Sequence, residues 1–267
     1  MTFVFGRAWL RCLPISVLLM AAAAQAAPRH MEASGSKLAI DSSCAESVSI
    51  EPDPALTGRV TVDATADHPE EITQLALDSF GDTAKLHQTV DHCARVGTLW
   101  SSEPTLHLTV RVPAGMAISL DEGGGVKYQI GAVDGPMALD LSGGVELHAA
   151  NATTLSLDLS GGGQVALGQV NGAINGDISG GGTVKIDHVT GPSLALEVSG
   201  GGGFTIGDGK IDRVKIDLSG GGEAHIGATV GDATADVSGG GSVDFARVTG
   251  QLHKDVSGSG EVNVAGQ

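Results

Sequence analysis

Seven carboxylates recur two positions before a serine: Asp140, Asp158, Asp177, Glu197, Asp217, Asp236 and Asp255. The serines are Ser142, Ser160, Ser179, Ser199, Ser219, Ser238 and Ser257, at spacings of 18, 19, 20, 20, 19 and 19 residues. Rows of carboxylates can ligate calcium or accept hydrogen bonds from sugar hydroxyls, although a hard cation needs more oxygens than one row offers. A second reading is a solvated stripe that discourages lateral sheet pairing. At about 5 Å in water, neighbouring charges repel by roughly 0.8 kcal/mol before salt screening. Serine hydroxyls donating to the carboxylates would make that cost tolerable.

Other groups that could do chemistry are Asp187-His188, Lys210, Asp212, Arg213, Lys215, Arg247 and Lys254. Lys210 to Lys215 is the most basic irregularity among the repeats and follows Gly207-Asp208-Gly209. A carbohydrate-active enzyme, lyase or hydrolase, would use such a break in a regular fold; a solvated loop is the plainer reading. His188, His225 and His253 do not recur at one position of the repeat, whereas a metal site wants convergent ligands. The glycine runs lack the Lys-Ser or Lys-Thr of a phosphate loop. No catalytic residue, cofactor or metal site is therefore assigned.

The elements that hold the carboxylates follow from alternation. Apolar residues stand one, three and five positions before the serine, as in Leu155/Leu157/Leu159, Leu194/Leu196/Val198 and Val214/Ile216/Leu218. That is a strand with one buried face, and it turns the carboxylates outward beside the serines. After the glycines a second alternation begins, with inward pairs such as Val165/Leu167, Val184/Ile186 and Phe204/Ile206. A shorter third segment carries Val170, Val189, Val230 and Val248. Coils of 19 to 20 residues cannot bury this face alone, and stacking them about 4.8 Å apart closes a core. The expectation is an all-β parallel β-helix with glycine corners, in which φ > 0 and close approach demand glycine. An earlier, degenerate copy, Met116 to Gly125, carries Asp121 where the serine is expected, with Met116/Ile118/Leu120 facing inward.

The sequence divides into residues 1–26, a β-rich cap at 27–115 and the repeats at 116–267. Arg7 and Arg11, the apolar run Leu13 to Ala24, and Ala24-Gln25-Ala26 read as a secretory signal peptide. Export implies the periplasm, the cell surface or secretion, with no membrane span after cleavage. It also makes Cys44 and Cys93 a disulfide candidate, with two buried thiols as the alternative. The formal charge of −16 over 267 residues argues against nucleic acid. The 41 glycines and 3% aromatics suit a thin core. The last copy has Lys254 at an inward position and Ser259 for the middle glycine. Lysine on a terminal strand discourages edge pairing, the alternative being a homo-oligomer formed through this C-terminal coil.

Val110-Arg111-Val112-Pro113-Ala114-Gly115 followed by Asp-Leu-Ser-Gly-Gly-Gly coils resembles the putative auto-transporter adhesin head (GIN) domain family. The resemblance covers roughly residues 100 to 267. It implies an exported bacterial β-solenoid and an adhesin-like binding or surface-structural role in the cell envelope. The partner so implied is an unidentified cell-surface component, glycan or protein. The family brings no catalytic residues to carry over.

Overall fold

The computed structural model describes residues 27–41, 44–89 and 104–266; residues 1–26, read above as a signal peptide, and Cys93 lie outside them. The first strands are β1 (Arg29–Ser34), β2 (Lys37–Asp41), β3 (Ser47–Pro52) and β4 (Arg59–Thr65). A short helix α1 (Pro69–Thr73) precedes β5 (Leu75–Phe80), β6 (Thr83–Gln88) and β7 (His107–Val112). Then come β8 (Ala117–Glu122), β9 (Lys127–Ile130), β10 (Met137–Gly143), β11 (Glu146–Ala152), β12 (Leu155–Gly161), β13 (Gln164–Val170) and β14 (Ile174–Gly180). The long strands β15 (Thr183–Gly200), β16 (Gly203–Gly220) and β17 (Glu223–Gly239) are followed by β18 (Ser242–Val248), β19 (Leu252–Gly258) and β20 (Glu261–Val264).

The chain is a parallel β-solenoid. One face stacks β6, β2, β8, β10, β12, β14, the second halves of β15, β16 and β17, and β19. The opposite face stacks β7, β3, β9, β11, β13, the first halves of β15 to β17, β18 and β20. A short third side carries the buried Ala152, Val170, Val189, Ile211 and Val230. Ile211 takes that place because the lengthened segment shifts the register between Ile206 and Lys210. The apolar sets read from alternation line one continuous core, with Leu159, Ile186, Ile206 and Ile216 fully enclosed.

Each coil turns from the first face to the second at its glycines. Gly220 has φ +120, and a Cβ there would stand 2.6 Å from the carbonyl oxygen of Gly200 in the coil beneath. Only glycine tolerates both that backbone region and that approach. The closeness lets corners hydrogen-bond through the stack: Gly201 N–H donates to Gly180 O (3.0 Å), Gly221 to Gly200 (2.9 Å) and Gly240 to Gly220 (2.9 Å).

Stacking order and chain order part company at the N-terminal end. The coil of β2 and β3 lies between that of β6 and β7 and that of β8 and β9. The outermost coil is closed by antiparallel strands, β5 on β6 and β4 on β7, with β1 pairing β4 in turn. Side chains fasten this closure. Arg29 donates to the carbonyls of Ile72 (3.1 Å) and Leu75 (2.8 Å), and the buried Glu71 accepts from the Thr105 hydroxyl (2.8 Å).

The degenerate copy sits two residues away from its expected register. Ile118, Leu120 and Glu122 stand against Met137, Leu139 and Leu141, so Asp121 pairs with Asp140 and does not occupy the serine position. Apolar spacing alone accepts either register, because alternation survives a shift of two. The inward residue at the end of this strand is a glutamate, which hides the correct frame.

Candidate functional site

The carboxylates read from the sequence do form one column, and it is longer than expected. Asp41, Asp121, Asp140, Asp158, Asp177, Glu197, Asp217, Asp236 and Asp255 stand in successive register on one face. Strand pairing places neighbours about 4.8 Å apart. Asp41 was not among the expected rungs, and Asp121 was expected at the serine position. The signal was present in Lys37-Leu38-Ala39-Ile40-Asp41, which alternates and ends on a carboxylate as the later copies do. Ser43 stands two positions after Asp41, as in the later copies, but the glycine run that marks the others does not follow it.

The N-terminal end and one middle rung carry cations. At the N-terminal end His87 stands in register with Asp41, and Lys85 reaches Asp41 at 3.5 Å. Lys215 donates to Asp217 at 2.5 Å, so this lysine of the basic patch belongs to the acidic face. Asp217 raises the Lys215 pKa through that hydrogen bond and its charge. Among the described residues, Asp121, Asp140, Asp158, Asp177 and Glu197 have no ion-pair partner, and no serine of the neighbouring column hydrogen-bonds the row. The serines therefore do not relieve the repulsion; water and salt must.

A shallow groove of about 370 Å³ follows the C-terminal half of the column, lined by Asp177, Glu197, Asp217, Asp236 and Asp255 together with Ser199, Ser219, Ser238 and Ser257. Beside the N-terminal half runs a second groove of about 510 Å³. Its walls are mostly small: Ala39, Ala117, Ala138, Ala173, Ser119 and Ser156, with Lys37 at one end. The acidic row thus separates a hydroxyl-lined groove from a more apolar one on one broad face.

The remaining candidates scatter. Lys210 lies 4.0 Å from Asp212, and Lys185 2.8 Å from Asp187, on exposed surface. His188 hydrogen-bonds Asp208 through Nδ1 and meets the Thr190 hydroxyl at Nε2, 3.2 Å away. A hydroxyl–imidazole–carboxylate chain is the arrangement of an activated nucleophile, and sequence reading did not anticipate it because Asp208 comes from the next coil. Catalysis also asks for exclusion of water and donors for an oxyanion. Here the His188 and Asp208 side chains are 44% and 74% exposed, so water competes for each bond. His225 and His253 lie on other coils and do not join it. Among the described residues no group of three or more His, Cys, Asp or Glu is placed to hold a metal ion.

Fold and face together define a parallel β-solenoid with one acidic, grooved side. Residues 169–267 match the family described as putative auto-transporter adhesin, head GIN domain, the family its motifs resemble. A crystal structure of a putative adhesin from Parabacteroides distasonis is similar over 90% of this chain and 97% of its own, with TM-score 0.62 and 13% identity. A putative adhesin from Bacteroides fragilis gives TM-score 0.53 at 14% identity, covering 89% of this chain and 96% of its own. A putative lipid binding protein from Parabacteroides distasonis gives 0.52 at 14%, with the same coverage. At such identities the likeness is one of fold. No curated protein matches. Among the described residues no helix is long and apolar enough to cross a membrane.

Proposed function

We propose that the protein is an exported, non-catalytic binding protein of the bacterial cell envelope, which presents its acidic face to a linear partner rich in hydroxyl or amino groups, such as a glycan. The observation that carries this reading is the unbroken row from Asp41 to Asp255 with a groove on either side. A row of acceptors at regular spacing suits a polymer that offers donors along its length, and no single enclosed pocket is needed. The adhesin names of the similar structures support a surface role. The N-terminal sequence supports export, into the periplasm or to the surface, and an oxidising compartment would favour the Cys44–Cys93 bridge.

The experiment is calorimetric titration with an amino-sugar polymer and a neutral glucan, using the wild type and a triple variant Asp140→Asn, Asp158→Asn, Asp177→Asn. Binding of either polymer that is lost in the triple variant, with an unchanged melting profile, supports the reading. Equal binding by both proteins, or none by either, sinks it. Release of reducing ends from the polymer would instead establish an enzyme.

A further inference from the structure

The core column that contains Leu141, Leu159, Ile178, Val198, Leu218 and Val237 has Glu122 as its member in the β8 coil. Glu122 is 1% exposed and Tyr128, on the facing strand β9, 2%. The Tyr128 hydroxyl donates to Glu122 Oε2 at 2.9 Å, and the Gly124 N–H donates to Oε1 at 3.2 Å. These groups sit at the corner between β8 and β9, the two strands on which the coil of β2 and β3 is laid out of chain order.

We propose that Glu122 and Tyr128 form a proton-controlled joint between the β2–β3 coil and the regular stack. With Glu122 protonated, a neutral acid and a phenol satisfy one another inside an apolar column. With Glu122 ionised, a charge is left in that column without a cation, and the corner opens to let water reach it. The surroundings oppose the charge. Leu141, its register partner on β10, is apolar. The charged group that acts on it from β2 is Asp41, which is negative. Burial, the largest influence, pushes the Glu122 carboxyl up to about 7, against the pull of the Tyr128 and glycine hydrogen bonds. The joint therefore changes state near neutrality, a range in which an exposed glutamate would stay ionised.

The test is hydrogen exchange of the full chain at about pH 5 and about pH 8, corrected for intrinsic rates, in wild type, Glu122→Gln and Tyr128→Phe. Peptides covering residues 37–52 and 117–130 should exchange about tenfold faster or more at the higher pH, while those covering 203–239 hold their protection. Glu122→Gln should abolish the difference. Tyr128→Phe should move the change to higher pH, since it removes a bond that favours the ionised form. Should Glu122→Gln fail to fold, Glu122→Leu completes the apolar column and must give the same result. Equal wild-type protection at both pH values, a loss spread evenly along the chain, or an unchanged difference in the Glu122 variants overturns the proposal.

Discussion

Asp41 stands in register with Asp121, on a neighbouring strand of the acidic face, although five strands and a helix of the described residues lie between them in the chain. The column of carboxylates is therefore a property of the stacked molecule, not of the tandem repeats alone. Its first rung comes from a segment with the serine, Ser43, but without the glycine run of the repeats.

Removal of one unpaired rung should stabilise the fold slightly. Asp158→Asn relieves repulsion from Asp140 and Asp177, its partners above and below. The melting temperature should rise in low salt, and the gain should vanish at about 1 M salt, where screening acts within ~3 Å. A fall in melting temperature at low salt would mean that Asp158 is held by favourable contacts.

Two adjacent corner glycines should respond differently to the same substitution. Gly220→Ala meets both a positive φ and the Gly200 oxygen, and should cost about 3 kcal/mol or more in urea unfolding. Gly221 has nothing within 4 Å of an added Cβ, so Gly221→Ala should stay within about 0.5 kcal/mol of wild type.

The pH dependence of global stability carries the mark of Glu122. Its folded-state pKa of about 7 lies above the ordinary 4.5, so between those values the folded protein holds a proton that the unfolded chain has lost. Stability from this group is complete below about pH 4.5 and declines as pH rises through 7, by roughly 3 kcal/mol. Asp63 works the other way. His30 and Arg111, by their hydrogen bonds, hold its pKa down, so its contribution is lost on acidification. The difference between wild type and Glu122→Gln in denaturant midpoints across this range isolates the glutamate; parallel curves would refute it.

The C-terminal edge should resist self-pairing until one residue is changed. Antiparallel pairing of β19 with its copy keeps inward residues opposite inward ones in two central registers. One centres on Lys254 and brings the two lysines together; the other centres on Asp255 and does the same for the aspartates. Val256 at this edge is 40% exposed. Lys254→Val removes the first obstacle, and sedimentation equilibrium should then show dimers at concentrations where the wild type shows no association through this strand. A wild type that dimerises, and is freed by deletion of β19 and β20, would contradict this.

Much of this architecture was legible because one coil is repeated many times. Leu155/Leu157/Leu159 followed by Ser160 and its glycines declares a strand, its buried side and its corner, and each further copy checks the register. The reading weakened where the coil occurs in altered form. Glu122 occupies a leucine position, which shifted the inferred frame at Asp121 by two. Asp41 is followed by Ser43 but lacks the glycine run that would have named its place. The pairing of β2 with both β6 and β8 is a long-range choice between equivalent strand edges, and alternation does not encode which edges meet. Likewise the approach of Asp208 to His188 depends on which coil lies on which, not on local pattern.

The inserted β2–β3 coil also bears on how the molecule is made. Once formed, that coil offers two free edges, one to be taken by β6 and β7, the other by β8 and β9. From β8 onward each new coil adds to the edge left by its predecessor, so contacts close over about twenty residues at a time, and such short closures are fast. The N-terminal region is then a seed that assembles slowly, through distant pairings, and the rest extends from it like a growing filament, in the direction of synthesis. Chains cut after the corner at Gly239 should remain folded as shorter rods, whereas chains lacking β2 and β3 should lose the template on which the first regular coil is laid.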